Sequence, residues 1–591
     1  MESKDNNFKK EDLIVGTFEH SRNFGFVVPD DTRIKTDIFV SKKNINGAKD
    51  NQKVVVKITI PAKDGKKAEG VIEEIIGNID EAGVDMLSLI KEYGIANDFP
   101  KDVLEEAENI PETIPEKELS YRVDLRNEEI FTIDGEDAKD LDDAVCVKIN
   151  ENGNYVLGVH IADVSHYVRD KSALDKEALQ RGTSIYMMDR VIPMLPKKLS
   201  NGVCSLNQGV DRLAISCIME IDKNGNVISN DVYQSVINVT RRMSYTEVKD
   251  IIENNKSPIL EECSKYIKHF KLMEELAHIL KNRRIKKGYL TLDIPESKII
   301  LDKNGRAIDV KKYETSFSNE IIEQFMLTAN DTIAEKFFYL EAPFIYRVHE
   351  EPDYDKVQEL NTFLKGLGYY VKATKDNIHP KAFQEVLNAV KGKPEEMVVS
   401  TLILRTLKVA RYENENNGHF GIASKHYCHF TSPIRRYPDL FIHRVITKYL
   451  KHGYLLDEKK YEKFYHESAK YADMSSDAEK VAQKVERDSI EIKKAEYMQS
   501  KIGEIYSGII SSVTSFGVFV ELENTVEGLI RFEDLGDEYF NYNEEKKQLI
   551  GERTNSIYKI GDKIQVQVIY ADKITRRVNF KKYIDDETIN K

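Results

Sequence analysis

Four aspartates lie close together in one short stretch of the chain, at Asp134, Asp140, Asp142 and Asp143. The ten residues that they span hold six acidic side chains, and Lys139 is the only basic residue among them. Two carboxylates about 4 Å apart repel by about 1 kcal/mol in water and by several times more at lower dielectric. A divalent cation would remove this repulsion, and oxygen ligands without His or Cys favour a hard ion, Mg²⁺ or Mn²⁺. The spacing therefore predicts a site for a divalent metal ion.

The elements around these aspartates would hold them near a hydrophobic core. Apolar residues at 131–133 and 144–147 predict one strand on each side, so residues 134–143 must form a compact loop. A solvated acidic turn is the first alternative, although the flanking strands would place it beside a core. An EF-hand is the second, but the loop lacks the Gly at position 6 and the Glu at position 12. Glu136 and Asp137 lie outside the aspartate pattern, and we predict that they are solvated.

The composition of the 591 residues limits the class of protein. Hydrophobic residues make up 41% and charged residues 32%, which is enough for sizeable cores under a solvated surface. No apolar run approaches the roughly 18 residues of a membrane-spanning helix, and the polar opening at 1–7 is not typical of a secretory signal. The five cysteines are scattered and form no CxxC pair, which excludes a disulfide scaffold and a zinc ribbon. We therefore expect a cytoplasmic protein without membrane contact.

The net charge of −13 does not decide the binding partner. A negative net charge argues against a protein that binds nucleic acid nonspecifically over its whole surface, because such proteins usually carry an excess of basic residues. The charge is unevenly distributed, however, because residues 425–451 contain six Lys or Arg and a single acid, Asp439. Local charge therefore carries more information than the average.

Short strands and turns alternate near both ends of the chain, while the middle mixes strands with long helices. Turn-forming pairs at 46–47 and 64–65 separate β-rich runs, as expected for a small antiparallel barrel. Apolar residues repeat at helical spacing over 319–338 and predict one long helix. We predict an α+β multidomain protein with a first OB-type barrel at 1–76, a connector at 77–120, a large mixed α/β catalytic core at 121–450, a helical extension at 451–500, a second OB-type barrel at 501–583 and a short tail at 584–591.

Three aromatic residues in the first barrel indicate a nucleic-acid surface. Phe24 and Phe26 lie on one predicted strand and Phe39 on the next. Their segments resemble a cold-shock domain, in which such rings stack on unpaired bases. We predict RNA contact for these three rings; the alternative is that they form the barrel core.

The second barrel carries a similar signal. Residues 516–520, 528–530 and 561–562 follow the order of the ribosomal S-one type of RNA-binding barrel, which this segment resembles. Phe516 and Phe519 are the candidates for stacking on RNA. We expect one of the two to belong to the barrel core.

The aspartate loop resembles the catalytic domain of the RNB family of exoribonucleases, which includes RNase II and RNase R. The sequence of the loop, IDGEDAKDLDDAV, is more similar to that of RNase R than to that of RNase II. Further segments match family blocks in the same order: 123–126 (VDLR), 158–166 (GVHIADVSH), 181–186 (RGTSIY), 192–196 (IPMLP), 204–207 (CSLN), 322–330 (IEQFMLTAN), 429–439 (HFTSPIRRYPD) and 485–487 (VER). Agreement at so many ordered blocks is far more specific than any single motif.

The resemblance implies processive hydrolysis of RNA from the 3′ end, releasing nucleoside 5′-monophosphates, in RNA decay and quality control. Hydrolysis of a phosphodiester needs an activated water and neutralisation of phosphoryl charge, and Mg²⁺ can meet both needs. The expected substrates are single-stranded RNA and RNA with a 3′ overhang, and the expected oligomeric state is a monomer.

The resemblance also implies roles for the carboxylates. We expect Asp134, Asp140 and Asp143 to be metal ligands, with Asp140 also counted among the catalytic residues. Asp142 is expected to be the essential carboxylate that organises the attacking water. The division of roles among the four stays open at this stage.

The same resemblance implies roles for four further side chains. Arg435 is expected to hold the scissile phosphate through two hydrogen bonds, and Arg436 is a second RNA-binding candidate. Tyr186 is expected to stack at the 3′-terminal nucleotide, and Glu486 to approach that nucleotide from a later helix. The alternatives are a surface arginine, a core aromatic residue and a solvated helical acid, respectively.

Two departures from the family pattern concern accessory RNA capture and duplex unwinding. RNase R-type members usually carry a helical N-terminal region, two cold-shock domains and a basic tail, whereas this chain shows one such barrel and no basic tail. The chain is then either naturally short or a piece of a longer one. Three other functions remain open: a catalytically inactive RNA-binding relative, which would lack one or more of the four aspartates, an RNA chaperone built on the two barrels, and an endonuclease.

Overall fold

The computed structural model describes residues 12–63, 66–253, 255, 257–292, 296–313, 315–393, 395–544 and 546–584. The predicted turn at 64–65, the opening residues 1–11 and all but the first residue of the predicted tail lie outside this described part. Within it, no helix combines the length and the apolar character needed to cross a membrane.

The first unit is a closed five-stranded barrel in the order β1-β2-β3-β5-β4. Alternate residues of its strands point inward, and Phe18, Val27 and Val54 are fully buried in its core. Its strands are β1 (Leu13–His20), β2 (Phe24–Pro29), β3 (Ile38–Ser41), β4 (Gln52–Ile60) and β5 (Glu69–Asn78).

Three short helices connect this barrel to the core: α1 (Val84–Glu92), α2 (Lys101–Glu108) and α3 (Glu116–Leu119). The first of them is held by ion pairs to distant parts of the chain. Asp85 lies 2.6 Å from Lys493 Nζ, and Glu92 lies 2.5 Å from a nitrogen of Arg576. The connector is therefore fixed against both a long late helix and the second barrel.

The centre of the core is a seven-stranded mixed sheet in the order β14-β7-β8-β9-β12-β13-β6. The strands and helices of its first half are β6 (Val123–Asp124), β7 (Phe131–Asp134), β8 (Asp143–Ile149), β9 (Tyr155–Ala162), α4 (Val164–Tyr167), α5 (Ala173–Arg181), β10 (Ile185–Tyr186), β11 (Val191–Ile192), β12 (Asp211–Ile221), β13 (Val227–Asn238) and β14 (Arg241–Ser244). β7 pairs in parallel with β14, and β8 pairs antiparallel with β9 along its whole length.

Helices cover this sheet and extend away from it. They and their small hairpins are α6 (Tyr245–Ile252), α7 (Ile259–Glu262), α8 (Ile267–Lys287), β15 (Ser297–Leu301), β16 (Ala307–Lys312), α9 (Phe317–Tyr339), β17 (Tyr346–Val348), α10 (Tyr354–Gly366), α11 (Pro380–Val390), α12 (Glu396–Thr406), β18 (Arg411–Glu413), α13 (Tyr437–Lys451) and α14 (Glu458–Gln499). α9 confirms the helix predicted over 319–338, and Phe325 and Ile333 on its apolar face are fully buried.

The last unit is a second closed barrel in the order β19-β20-β21-β26-β25, with a small three-stranded sheet inserted into it. Its elements are β19 (Ile505–Thr514), β20 (Gly517–Leu522), β21 (Glu527–Arg531), α15 (Phe532–Leu535), β22 (Phe540–Asn543), β23 (Gln548–Gly551), β24 (Ile557–Lys559), β25 (Lys563–Asp572) and β26 (Arg577–Lys582). Two OB-type barrels around a mixed α/β core confirm the predicted fold class.

Candidate active site

The sheet places the four aspartates at one end of adjacent strands. Asp134 is the last residue of β7 and Asp143 is the first residue of β8, while Asp140 and Asp142 lie in the loop between them. The register fixes both ends, because Asp134 lies opposite Ser244 and Asp143 lies opposite Ile161. The two strands that were predicted to flank the loop are therefore the elements that position it.

Asp142 is the most deeply buried of the four, with 4% of its surface exposed. Its Oδ1 accepts a hydrogen bond of 2.8 Å from the backbone N–H of Ile434, and its Oδ2 has no partner. The nearest cation is Arg435, whose Nε lies 3.9 Å from that Oδ2. Burial raises the pKa of Asp142 well above its usual value, against the opposing charge of Arg435.

Asp134 and Asp143 share this environment. Burial raises the pKa of Asp134 to about 6 and that of Asp143 to about 8, and the charge of Asp134 adds to the effect on Asp143. Each carboxylate also has a buried Oδ2 without a hydrogen-bond partner. An unpaired buried acceptor is costly, so these two oxygens and that of Asp142 favour the approach of a positive charge.

These carboxylates fit a hard divalent cation by their chemistry. All the donors are oxygen atoms, and the three unpaired ones belong to Asp134, Asp142 and Asp143. Within the described part of the chain, no three His, Cys, Asp or Glu side chains already surround a common metal position. The donor set is therefore suited to a cation, but its side chains are not yet gathered around one.

Tyr186 connects the aspartate loop to the long helix α14. Its hydroxyl donates a 2.7 Å hydrogen bond to Asp140 Oδ2, and its backbone N–H donates one of 2.8 Å to Oε1 of Glu486. Tyr186 is 37% exposed as a whole residue, so it is not a core aromatic residue. Burial raises the pKa of the Glu486 carboxyl, although the bond from Tyr186 acts in the opposite direction.

The two neighbouring arginines have different surroundings. Arg435 leaves 41% of its side chain exposed and donates a 3.2 Å hydrogen bond to the Ser432 hydroxyl. Arg436 is 16% exposed and lies 2.7 Å from the fully buried carboxylate of Asp439. Of these two arginines, Arg435 presents its guanidinium beside the aspartates, while that of Arg436 is held by an internal ion pair.

The segments that carry Tyr186 and Arg435 are joined to each other by backbone hydrogen bonds. The N–H of Ser184 donates to the carbonyl of Arg435 at 2.9 Å, and the N–H of Tyr437 donates to that of Gly182 at 2.9 Å. Gly182 has a φ of +67°, and a Cβ there would lie 2.5 Å from the Cβ of Ala478 on α14. A glycine is required because the chain turns in the left-handed region against that helix.

Arg242 is a residue of the site that the sequence did not indicate. Its guanidinium donates to the carbonyl oxygens of Glu136 at 3.0 Å and Ala138 at 2.7 Å, which holds the aspartate loop. Its charge also lowers the pKa of Asp134 against the effect of burial. Two consecutive arginines at the start of a strand give no signal of this role in the sequence. Glu136 and Asp137 have exposed side chains, as predicted.

The aromatic residues of the first barrel lie on its outer face. The ring of Phe24 lies 5.5 Å from that of Phe26 and 5.7 Å from that of Phe39, measured between centroids. All three are half-buried, and the Nζ of Lys67 lies 4.4 Å from the centre of the Phe26 ring. The alternative that they form the barrel core is wrong, because Phe18 and aliphatic residues fill that core.

The expectation that Phe516 or Phe519 belongs to the core of the second barrel is also wrong. Phe516 is 53% exposed, Phe519 is half-buried, and neither belongs to the hydrophobic cluster of the barrel. Their ring centroids lie 6.2 Å apart in an edge-to-face arrangement. Val518 and Val520, which point inward from the same strand, fill the core instead.

Comparison with known families agrees with this architecture. The model of the RNB domain matches residues 122–452, that of the cold shock domain matches 26–100, and that of the S1 RNA binding domain matches 499–582. The fold and the aspartate cluster thus define an RNB-type nuclease flanked by two RNA-binding barrels.

Similarity to known ribonucleases extends over nearly the whole chain. Ribonuclease R of Thermotoga maritima is 43% identical over 578 residues, covering 97% of this chain and 81% of the relative. Ribonuclease R of Escherichia coli K12 is 34% identical over 578 residues, covering 97% and 71%. The structure of Mycoplasma genitalium RNase R in complex with ribose-methylated single-stranded RNA matches with a TM-score of 0.91 and 30% identity, covering 97% and 90%.

The chain therefore belongs to the ribonuclease R family of RNB-domain proteins. It is a hydrolytic 3′-to-5′ exoribonuclease that acts on RNA. The predicted family and the predicted 3′-to-5′ exoribonuclease activity on RNA are confirmed.

Proposed function

We propose that the chain hydrolyses the 3′-terminal phosphodiester of single-stranded RNA at the aspartate cluster, and does so processively with release of nucleoside 5′-monophosphates. The observation that carries this proposal is the set of three buried, unpaired carboxylate oxygens on Asp134, Asp142 and Asp143 beside the half-exposed guanidinium of Arg435. Negative charge to hold a cation and positive charge to hold a phosphate thus occur side by side.

Asp134, Asp140 and Asp143 would hold Mg²⁺, or Mn²⁺ in its place. Such an ion, when bound, lowers the pKa of water and neutralises phosphoryl charge. The high pKa values of Asp134 and Asp143 support this assignment, because they reflect two buried carboxylates whose charge the nearby arginines only partly offset. Asp140 differs from them in already accepting the hydroxyl hydrogen bond of Tyr186.

Asp142 and Arg435 would act on the water and on the phosphate, respectively. The Ile434 N–H fixes Oδ1 of Asp142, which leaves Oδ2 to accept a hydrogen bond from the attacking water and orient it. The Arg435 guanidinium can donate two hydrogen bonds to the phosphoryl oxygens and stabilise the charge of the transition state. Both functions depend on the 429–439 segment, since Ile434 and Arg435 are consecutive residues.

Tyr186 and Glu486 would bind the terminal nucleotide. The exposed part of the Tyr186 ring offers a stacking face beside the aspartates, and stacking of this kind contributes about 1–3 kcal/mol per base. Only Oε1 of Glu486 is used by the Tyr186 N–H, so Oε2 can accept a hydrogen bond from a ribose hydroxyl. Such a contact would favour RNA over DNA.

The two barrels would supply the approach to this site. The Phe24, Phe26 and Phe39 rings on one barrel, and Phe516 and Phe519 on the other, present aromatic faces suitable for unpaired bases. Mycoplasma genitalium RNase R has been captured with single-stranded and with double-stranded RNA. By extension, we propose single-stranded RNA and RNA with a 3′ overhang as the substrates of this chain. We also propose that the protein acts as a cytoplasmic monomer in RNA decay and quality control.

The proposal is tested by a time course on single-stranded RNA labelled at its 5′ end, with Mg²⁺ and with EDTA. Wild type and Asp142→Asn are compared, and Asp137→Asn serves as the matched control because Asp137 is an exposed acid of the same loop. We expect metal-dependent shortening from the 3′ end in wild type and in the control, without accumulation of long intermediates. Intact RNA in every lane, or shortening by Asp142→Asn at the wild-type rate, would contradict the proposal.

A further inference from the structure

A cavity lined mainly by basic side chains lies away from the aspartate cluster. It has a volume of about 570 Å³ and is formed by the end of α3, the α4 region, the last turns of α13 and the first turns of α14. α13 begins beside Ile434 and Arg435, and residues of its C-terminal half, from Arg444 to Lys451, line this cavity. The lining includes none of the four aspartates, Tyr186, Arg435 or Glu486.

Positive charge dominates the lining of this cavity. Two carboxylates, Glu118 and Asp170, contribute to the wall. Against them stand six basic side chains: Arg169, Arg444, Lys448, Lys451, Lys460 and Lys463. Such an excess is unusual in a chain with a net charge of −13, and it includes the C-terminal part of the basic stretch at 425–451.

Half of these cations have no carboxylate partner. Lys463 is paired with Asp170 at 2.5 Å and Lys460 with Asp457 at 2.8 Å. Within the described residues, no acidic side chain lies within ion-pair distance of Arg169, Lys448 or Lys451. Like charges gathered in a concave surface repel one another and raise the local concentration of anions.

Two buried polar atoms on the cavity wall also lack partners. Thr447 Oγ1 and Arg444 Nε are buried without a hydrogen bond. Arg444 is 7% exposed; its Nη2 lies 2.6 Å from Asp175 and donates to the Val168 carbonyl at 2.9 Å, while its Nη1 donates to the Tyr437 hydroxyl at 3.2 Å. Arg444 therefore adds a fixed positive charge to the cavity wall, although neither of the two unpaired atoms is exposed to the cavity.

The wall further includes a flat aromatic group. Tyr121 is half exposed, and the Nζ of Lys451 lies 5.4 Å from the centre of its ring. The cavity volume falls within the range of small-molecule sites and is sufficient for one nucleotide. Unpaired cations and an aromatic face together correspond to the phosphate and the base of a nucleoside phosphate.

We propose that this cavity binds the phosphate group of a nucleotide, with Lys448, Lys451 and Arg169 as its cationic contacts. The phosphate can come from a free nucleoside 5′-monophosphate or from an internal position of an RNA strand. The site is independent of the aspartate cluster, because it shares no side chain with it.

The test is acylation of lysines in the full-length wild-type protein, quantified at each lysine by mass spectrometry. The protein is labelled alone and in the presence of adenosine 5′-monophosphate, inorganic phosphate, adenosine, or a short 2′-O-methyl RNA strand, at equal ionic strength adjusted with chloride. Lys459 and Lys470 are the internal controls, since both are exposed on α14 and lie outside the cavity. The readout does not use catalysis, so it stands apart from the test of the proposed function.

We expect the monophosphate and inorganic phosphate to protect Lys448 and Lys451 while leaving Lys459, and labelling with adenosine, unchanged. Protection by the RNA strand alone would assign the phosphate to RNA rather than to a free nucleotide. In Lys448→Ala, protection of Lys451 should require about tenfold more ligand, because one charged hydrogen bond is lost; Lys459→Ala should leave it unchanged. No protection by any phosphate compound, or equal protection of Lys459, would overturn the proposal.

Discussion

The Asp142 carboxylate accepts a hydrogen bond of 2.8 Å from the backbone N–H of Ile434, a residue 292 positions further along the chain. This contact fixes one carboxylate oxygen and joins the aspartate loop to the segment that carries Arg435. The other oxygen remains buried without a partner. The contact therefore orients the side chain without neutralising it, which is what a carboxylate that orients a water requires.

Replacing Asp142 by Asn should separate catalysis from binding. The amide keeps an oxygen for the Ile434 N–H but loses the charge, so hydrolysis should fall by about 10²–10³-fold or more. RNA affinity should stay within about twofold of wild type, since stacking and phosphate contacts remain. The Tm should not fall, because a neutral amide replaces a carboxylate whose pKa burial has raised. Filter binding, initial rates and calorimetry on Asp142→Asn and on the control Asp137→Asn measure all three quantities.

Mg²⁺ should stabilise the folded protein through the aspartate cluster. A ligand at about a hundredfold over its Kd adds about 2.7 kcal/mol to the free energy of unfolding, so the Tm of the wild type should rise with Mg²⁺ and return with EDTA. Asp134→Asn combined with Asp143→Asn should abolish this rise, while Asp137→Asn should retain it. A rise that persists in the double variant would show that Mg²⁺ binds elsewhere.

Tyr186 should contribute mainly through its ring. Tyr186→Ala removes the stacking face and should weaken the binding of short RNA substrates by about 5–150-fold. This corresponds to about 1–3 kcal/mol of binding free energy. Tyr186→Phe loses only the hydrogen bond to Asp140 and should cost much less. Single-turnover rates as a function of RNA concentration measure the effect, with Tyr539→Ala as a control because Tyr539 is exposed on the second barrel. Equal losses in Tyr186→Phe and Tyr186→Ala would assign the role to the hydroxyl instead.

Arg435 and Arg436 should differ in what they support. Arg436→Ala leaves the buried Asp439 carboxylate without its ion pair, and breaking a buried pair typically costs about 3–5 kcal/mol of stability. Arg435→Ala should leave the Tm nearly unchanged and lower the rate by about 10²–10³-fold, because its side chain is half exposed and available to the phosphate. Thermal unfolding and hydrolysis measured on both variants test this; the reverse pattern would exchange the two roles.

The fully buried ion pair between Arg122 and Asp163, 2.7 Å apart, should make stability depend on acid. Burial acts to raise the pKa of Asp163, but the charge of Arg122, with further contributions from His166 and Ser165, holds it well below the usual value. A depressed folded-state pKa stabilises the protein above the unfolded pKa of about 3.9, and this contribution is lost as the pH falls below that value. Asp163→Asn should lower the Tm at neutral pH and weaken its decline below about pH 4, whereas Asp376→Asn at an exposed site should do neither.

The sequence by itself determined the local features of this protein. The spacing of the four aspartates between two apolar segments predicts a tight loop between strands, because strand pattern and loop length are properties of neighbouring residues. The same holds for the helix over 319–338, which α9 confirms, and for the two barrels, whose short strands and turns recur along the chain. Together with the ordered family blocks, these local signals were sufficient for the fold class and for the family.

Only the tertiary structure decided which distant residues meet and which ring faces outward. Tyr186 contacts Glu486 across 300 residues and Asp142 contacts Ile434 across 292, and no periodicity in the chain encodes either pair. Phe516 and Phe519 were expected to divide between core and surface, but Phe516 lies in the turn before β20 and Phe519 points outward from that strand, while smaller valines fill the core. Arg242 gave no sequence signal because its role depends on backbone carbonyls, which every residue carries. Such contacts follow from how sheets and helices pack, and packing is set by the whole chain at once.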